Sequence, residues 1–115
     1  MGRFNEYYGG RTPTAKQTGA LGIRKFKNDV AKLDPTLVVT GKGITLNGAP
    51  KGCSGFISTA DGSKHVYFHA EVGGYSGTDA YYRTAEHTKD YRGGTNRFVE
   101  QGELAEAAVQ LLQAQ

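Results

Sequence analysis

Between Ala20 and Leu33 the apolar residues Ile23, Phe26, Val30 and Leu33 recur at i, i+3, i+7 and i+10, with Arg24, Lys25, Lys27, Asn28 and Lys32 between them. That spacing collects the apolar side chains on one face and predicts an amphipathic helix. Asp34-Pro35 ends it, because the residue before a proline is pushed out of the α region. The pattern then changes period. Thr36 to Thr40 and Gly43 to Leu46 are rich in β-branched residues around Gly41-Lys42-Gly43, and form either one bulged strand or a tight hairpin. Asn47-Gly48 with Pro50 predicts a turn.

Gly55 to Thr59 and Lys64 to Glu71 flank an Asp61-Gly62 pair, which predicts a β-hairpin. Its second arm alternates strictly. Val66, Phe68 and Ala70 point to one side, toward the helices, and His65, Tyr67 and His69 to the other, a polar and aromatic open face. Asp79 to Thr84 reads as a further strand, Ala85 to Tyr91 as a helical turn or a long hairpin tip, and Asn96 to Glu100 as a short returning strand. Leu104, Ala108, Leu111 and Leu112 at helical spacing predict a last helix, with Glu103 and Glu106 near its N-terminus where the helix dipole favours acids.

Residues 1–19 sustain no period. They carry Phe4, Tyr7, Tyr8, Gly9-Gly10 and three basic residues, and read as an irregular arm with one short strand at Phe4 to Tyr8. The expected organisation is therefore an arm (1–19) and one α+β domain (20–115), with an antiparallel sheet of three to five strands and both helices on one face. The order helix, strands, helix is similar to that of double-stranded-RNA-binding domains. Those domains hold phosphates with lysines at the start of the last helix, where this chain has Gly102, Glu103, Leu104, Ala105 and Glu106, so the family is not assigned.

Composition narrows the function. At 115 residues, with 37% hydrophobic residues and 17 glycines, the core is thin and the turns many. One cysteine, Cys53, excludes an intramolecular disulfide and a four-cysteine zinc site. No apolar run approaches the ~18 residues of a membrane span, and no signal-peptide pattern is present, so a cytoplasmic protein is expected. The net charge of +3 is unevenly spread: +4 over residues 1–35, +2 over 36–99 and −3 over 100–115. A basic front and an acidic tail admit nucleic acid or head-to-tail self-association as partners.

Catalytic and cofactor motifs fail on spacing. His65 and His69 lie four strand residues apart, ~13 Å, too far to share a zinc ion, and surface histidines are expected. Gly43 to Gly48 has a phosphate loop's first and last glycines, but Ala49-Pro50 follows where Lys-Ser/Thr is required. Cys53, Ser54, Ser58 and Ser63 belong to no nucleophile motif. No cofactor is implied.

What remains is Tyr81 to Glu100, YYRTAEHTKDYRGGTNRFVE, which gathers three tyrosines, a phenylalanine, a histidine, four basic residues and a Gly-Gly step. With Tyr67 from the open face, the candidate partner-binding residues are Tyr67, Tyr81, Tyr82, Arg83, Lys89, Tyr91, Arg92, Asn96 and Arg97. Gly93-Gly94 further offers backbone amides to an anion. Arg beside Tyr suits base stacking and phosphate binding, and the same pair is enriched at protein hot spots. Two expectations follow. One is a small non-catalytic inhibitor or adaptor, of the kind phages direct at host defence proteins, or one that sequesters a nucleotide ligand. The other is a module binding single-stranded DNA or RNA on the sheet face. An exposed sheet edge makes a homodimer a further expectation.

Overall fold

A computed structural model describes residues 18–72 and 80–115. The chain is an α+β domain: α1 (Ile23–Leu33), β1 (Val38–Leu46), β2 (Ala49–Ser58), β3 (His65–Glu71), β4 (Ala80–Ala85), β5 (Arg97–Val99), a 3₁₀ turn (Gln101–Glu103) and α2 (Leu104–Gln113). The five strands form one antiparallel sheet in the order β1-β2-β3-β4-β5. Both helices pack on one face of it and against each other. The strand expected at Phe4 to Tyr8 lies outside the described residues.

Helix α1 buries Phe26 and Val30, as its spacing predicts, but leaves Leu33 exposed in the last turn. Asp34 leaves the helix in an extended conformation, and its carboxylate accepts hydrogen bonds from the Thr36 amide (3.0 Å) and hydroxyl (2.6 Å). Those bonds hold its carboxyl below the ordinary carboxylate range. Helix α2 buries Leu104, Ala105, Ala108, Val109 and Leu112. Between the helices and the sheet, Phe26 stacks on Phe68 at 4.1 Å between ring centroids, surrounded by Ile57, Val66 and Leu104. Gln101 joins the two ends of this layer: its side-chain oxygen accepts the Leu21 amide (3.2 Å) and its amide nitrogen donates to the Gly19 carbonyl.

Residues 38–46 are a single strand, not a hairpin of their own. Asn47 (φ 52°) and Gly48 (φ 80°) make the two-residue turn that pairs Leu46 with Ala49, and positive φ at both positions is what a type I′ hairpin demands. Strand β2 is longer than its sequence suggests. It begins at Ala49 and runs through Pro50, because the register slips by one residue between Ile44 and Thr45. Pro50, with no N–H to give a ladder, sits at that irregularity.

The Asp61-Gly62 hairpin forms as predicted, pairing Ser58 with His65. Asp61 anchors the connection by accepting from the Thr59 hydroxyl (2.7 Å), the Ser63 hydroxyl (2.7 Å) and the Ser63 amide (3.0 Å), bonds that pull its carboxyl down to about 2. Cys53 is buried on the helix side and its thiol is pushed up to about 12 by burial, which removes it as a nucleophile at neutral pH. His65 is not a surface histidine. It is buried at the end of β3, with its Nδ1 2.6 Å from the Ser58 hydroxyl across the hairpin.

Candidate binding surface

Alternation along each strand, combined with the observed register, decides what the face opposite the helices presents. Phe56 on β2 is opposite Tyr67 on β3, and His69 on β3 is opposite Tyr81 on β4. Tyr81 in turn is opposite Phe98 on β5. Their rings touch in a continuous series. Centroids are 5.2 Å apart for Phe56–Tyr67, 6.2 Å for Tyr67–Tyr81, 5.0 Å for the stacked His69–Tyr81 pair and 5.7 Å for Tyr81–Phe98. Cross-strand aromatic pairs of this kind stabilise a sheet as well as furnish a contact surface.

The strip is extended by the β4–β5 connection, which is the tip of a long antiparallel hairpin and not a helical turn. Residues 86–96 fold back over the sheet and set Tyr91 edge-on against Phe56 (5.4 Å) and Tyr67 (6.0 Å). Two side chains hold this excursion. Asp90 accepts the amides of Glu86 (3.0 Å), Arg92 (3.2 Å) and Gly93 (2.8 Å), which keeps its carboxyl below the ordinary range. Arg83 donates to the carbonyls of Thr84 (3.1 Å) and Asp90 (2.7 Å), with its guanidinium 4.7 Å from the centre of the Tyr67 ring. Gly93 is required where the loop closes, since a β-carbon there would lie 2.3 Å from the Asp90 carboxylate.

The result is a pre-shaped surface. Phe56 (3% exposed) and Arg83 (4%) are sealed beneath the loop, while Tyr91 (67%) and Phe98 (42%) stand out at its two ends. Tyr67 lies between, half-buried, and its hydroxyl is pushed up to about 12, chiefly by burial and then by neighbouring Tyr81. The Tyr67 hydroxyl lies 3.3 Å from His69 Nδ1, and His69 Nε2 lies 3.0 Å from Glu71 Oε1, at hydrogen-bond distance in both cases.

Of the residues expected at a binding surface, the structure therefore brings together Tyr67, Tyr81 and Tyr91. Lys89 and Arg92 are exposed on the loop that carries Tyr91. Asn96 is exposed next to β5. Tyr82 points the other way and packs against the core. Arg97 is opposite Tyr82, so it belongs to the helix side, at the sheet edge. Arg83 is on the face but committed to the loop. The anion-binding reading of Gly93-Gly94 gives way to an internal partner, because the Asp90 carboxylate already occupies the Gly93 amide. Phe56, Phe98 and His69 belong to the strip without having been named as partner-binding residues. Phe56 was open to inference, since a hairpin centred on Asp61-Gly62 sets it across from Tyr67.

Among the described residues no group of three or more His, Cys, Asp or Glu side chains is arranged to hold a metal ion. No helix of the described residues is long and apolar enough to cross a membrane. Compared with family models, with curated proteins and with solved structures, the chain gives no significant match.

Proposed function

We propose that this chain is a non-catalytic binding protein, an inhibitor or adaptor, that grips another protein with the aromatic face of its sheet. The observation that carries the reading is the unbroken series of ring contacts from Tyr91 through Phe56, Tyr67 and Tyr81 to Phe98. Rigid aromatic side chains fixed in advance lose little conformational freedom on binding, and Tyr is among the residues that dominate protein hot spots.

The fate of the arginines favours a protein over a nucleic acid. A single-strand binder needs cations tracking the backbone beside its stacking rings. Here Arg83 is consumed by the loop and Arg97 lies on the other side of the sheet, which among the described residues leaves Lys42, Lys89 and Arg92, gathered at the Tyr91 end of the strip and not along it. Beside Tyr81 the strip carries His69 with its Nε2 on the Glu71 carboxylate, an acidic partner and not a cation.

The test compares the tagged wild type with a Tyr91→Ala/Phe98→Ala double variant, both incubated with a cell extract, with and without nuclease and high salt. Both side chains are exposed, so the variant should fold. The expected result is a protein retained by the wild type alone, whatever the nuclease treatment. Retention that nuclease or salt abolishes would replace this reading with single-stranded nucleic acid binding.

A further inference from the structure

Among the described residues the strip carries a concave feature at its Tyr91 end. Where the 86–96 loop overhangs β1 and β2, a cleft of about 250 Å³ opens between Thr40 and Lys42 on β1, Ser54 and Phe56 on β2, and Thr88 and Tyr91 on the loop. The register accounts for it. Thr40 is opposite Phe56 and Lys42 is opposite Ser54, so two cross-strand pairs form the floor, and the loop supplies the far wall. Phe56 gives the floor a ring, Tyr91 stands edge-on to it, and three hydroxyls and one ammonium surround them.

We infer that this cleft takes one aromatic side chain of the protein partner, flanked in that partner by acidic residues. The inference rests on the function proposed above and names what the partner presents. At about 250 Å³ the cleft lies just below the range of about 300 to 1,000 Å³ usual for small-molecule pockets, a size that suits a single side chain. Ring chemistry favours an aromatic occupant, because the Tyr91 ring on the wall is 67% exposed and rewards a flat guest, while the buried Phe56 ring backs the floor behind it. Charge supplies the flanking acids. Lys42 lines the cleft, and Lys89 and Arg92 sit on the loop that forms its wall. None of the three makes an ion pair among the described residues. Of the loop's two carboxylates, Asp90 is turned inward onto backbone amides, and Glu86 is exposed at the loop's start and does not line the cleft.

The experiment titrates the ¹⁵N-labelled full chain with three capped tripeptides, Glu-Tyr-Glu, Glu-Ala-Glu and Lys-Tyr-Lys, and follows backbone amides. Glu-Tyr-Glu should shift Thr40, Lys42, Ser54 and Thr88 saturably, with the other two weaker by about tenfold, the worth of one good aromatic contact or one pair of favourable charges. In Lys42→Glu, an exposed strand position, the preference between Glu-Tyr-Glu and Lys-Tyr-Lys should narrow or reverse. Equal binding of Glu-Ala-Glu and Glu-Tyr-Glu would overturn the inference, as would shifts confined to Tyr81 and Phe98. Adenosine monophosphate binding these amides more tightly than any peptide would also overturn it, in favour of a nucleotide. The two readings fail separately. If Lys42→Glu still captures the partner that the Tyr91→Ala/Phe98→Ala variant loses, the cleft is not the anchor site but the face remains the binding surface. If Glu-Tyr-Glu binds the cleft as described and no protein depends on Tyr91 and Phe98, the proposed function is what falls.

Discussion

The two faces of this sheet are built from the same strands by simple alternation, yet they solve different problems. On β3, Phe68 is fully buried against Phe26 and the helices, and its neighbour Tyr67 lies under the 86–96 loop among rings and a guanidinium. The helix side is apolar, with Val30, Ile57, Val66 and Leu112 in one cluster with the stacked Phe26–Phe68 pair, and its burial is largely non-directional. The other side is sealed by directional contacts, among them Arg83 to two carbonyls, Asp90 to three amides and Ser58 to His65. Burial on the helix side supplies stability. On the other side it fixes the shape of a surface that is still largely open. A small domain with a thin core can keep a wall of aromatic residues facing outward only if something other than the core holds them in place.

The largest expected contrast comes from truncating on the helix side. Phe68→Ala should cost about 3–5 kcal/mol, the usual result of emptying a packed aromatic site, seen as a large drop in the denaturant midpoint. An effect below about 1 kcal/mol would mean that the helices do not seal this face. Next is Arg83→Ala, which leaves the Thr84 and Asp90 carbonyls unpaired. A loss of about 1–3 kcal/mol is expected, with faster amide exchange in residues 86–93 and no change in the helices. If exchange in that segment stayed at the wild-type rate, Arg83 would not be the latch described here.

Tyr91→Ala should separate stability from binding. With the side chain 67% exposed, the stability change should stay within about 0.5 kcal/mol, while partner capture should fall by tenfold or more, about 1.4 kcal/mol of binding energy. The smallest effect is that of acid. The Asp90 carboxyl in the folded chain titrates below its ordinary value of 3.8, so the loop's hold is complete above that value and is lost as pH falls through the lower, folded one. Amide exchange at Gly93 should therefore rise relative to core amides only below about pH 4, and Asp90→Asn should show the looser loop already at neutral pH. A loop that loosened well above pH 4 would mean that the Asp90 carboxylate is not what holds it.

How much of this was readable in the sequence follows the same division. The helix side is governed by period. Phe26 and Val30 in α1, the Val66-Phe68-Ala70 set in β3 and the Leu104–Leu112 face of α2 each stand out from spacing alone. Local turn chemistry at Asn47-Gly48 and Asp61-Gly62 gave two of the connections. Pro50 misled, because proline reads as the end of a turn where the chain in fact carries it within a strand at a register slip. On the open face, alternation placed Tyr67, required that only one of Tyr81 and Tyr82 share its side without saying which, and had nothing to say about the loop. Its course depends on Asp90 reaching amides four residues before it and three after, and on Arg83 turning back over Tyr67. The register across eleven intervening residues was equally hidden. A shift of one position would have put Arg97 beside Tyr81, and only the observed pairing with Tyr82 sends it to the other side.

The order of the sheet has a kinetic side as well. Every strand pairs with its neighbour in sequence, so each β-ribbon can form by closing a short loop. The helices do the opposite: α1 and α2 stand at opposite ends of the folded sequence, and the Leu21–Gln101 bond joins residues 80 positions apart. From loop-closure entropy the ribbons are expected to assemble early and the helices to dock late. Alanine at Gln101 should then mainly speed unfolding, and disruption of the Asp61 turn should mainly slow folding, with the two arms of a chevron plot telling them apart.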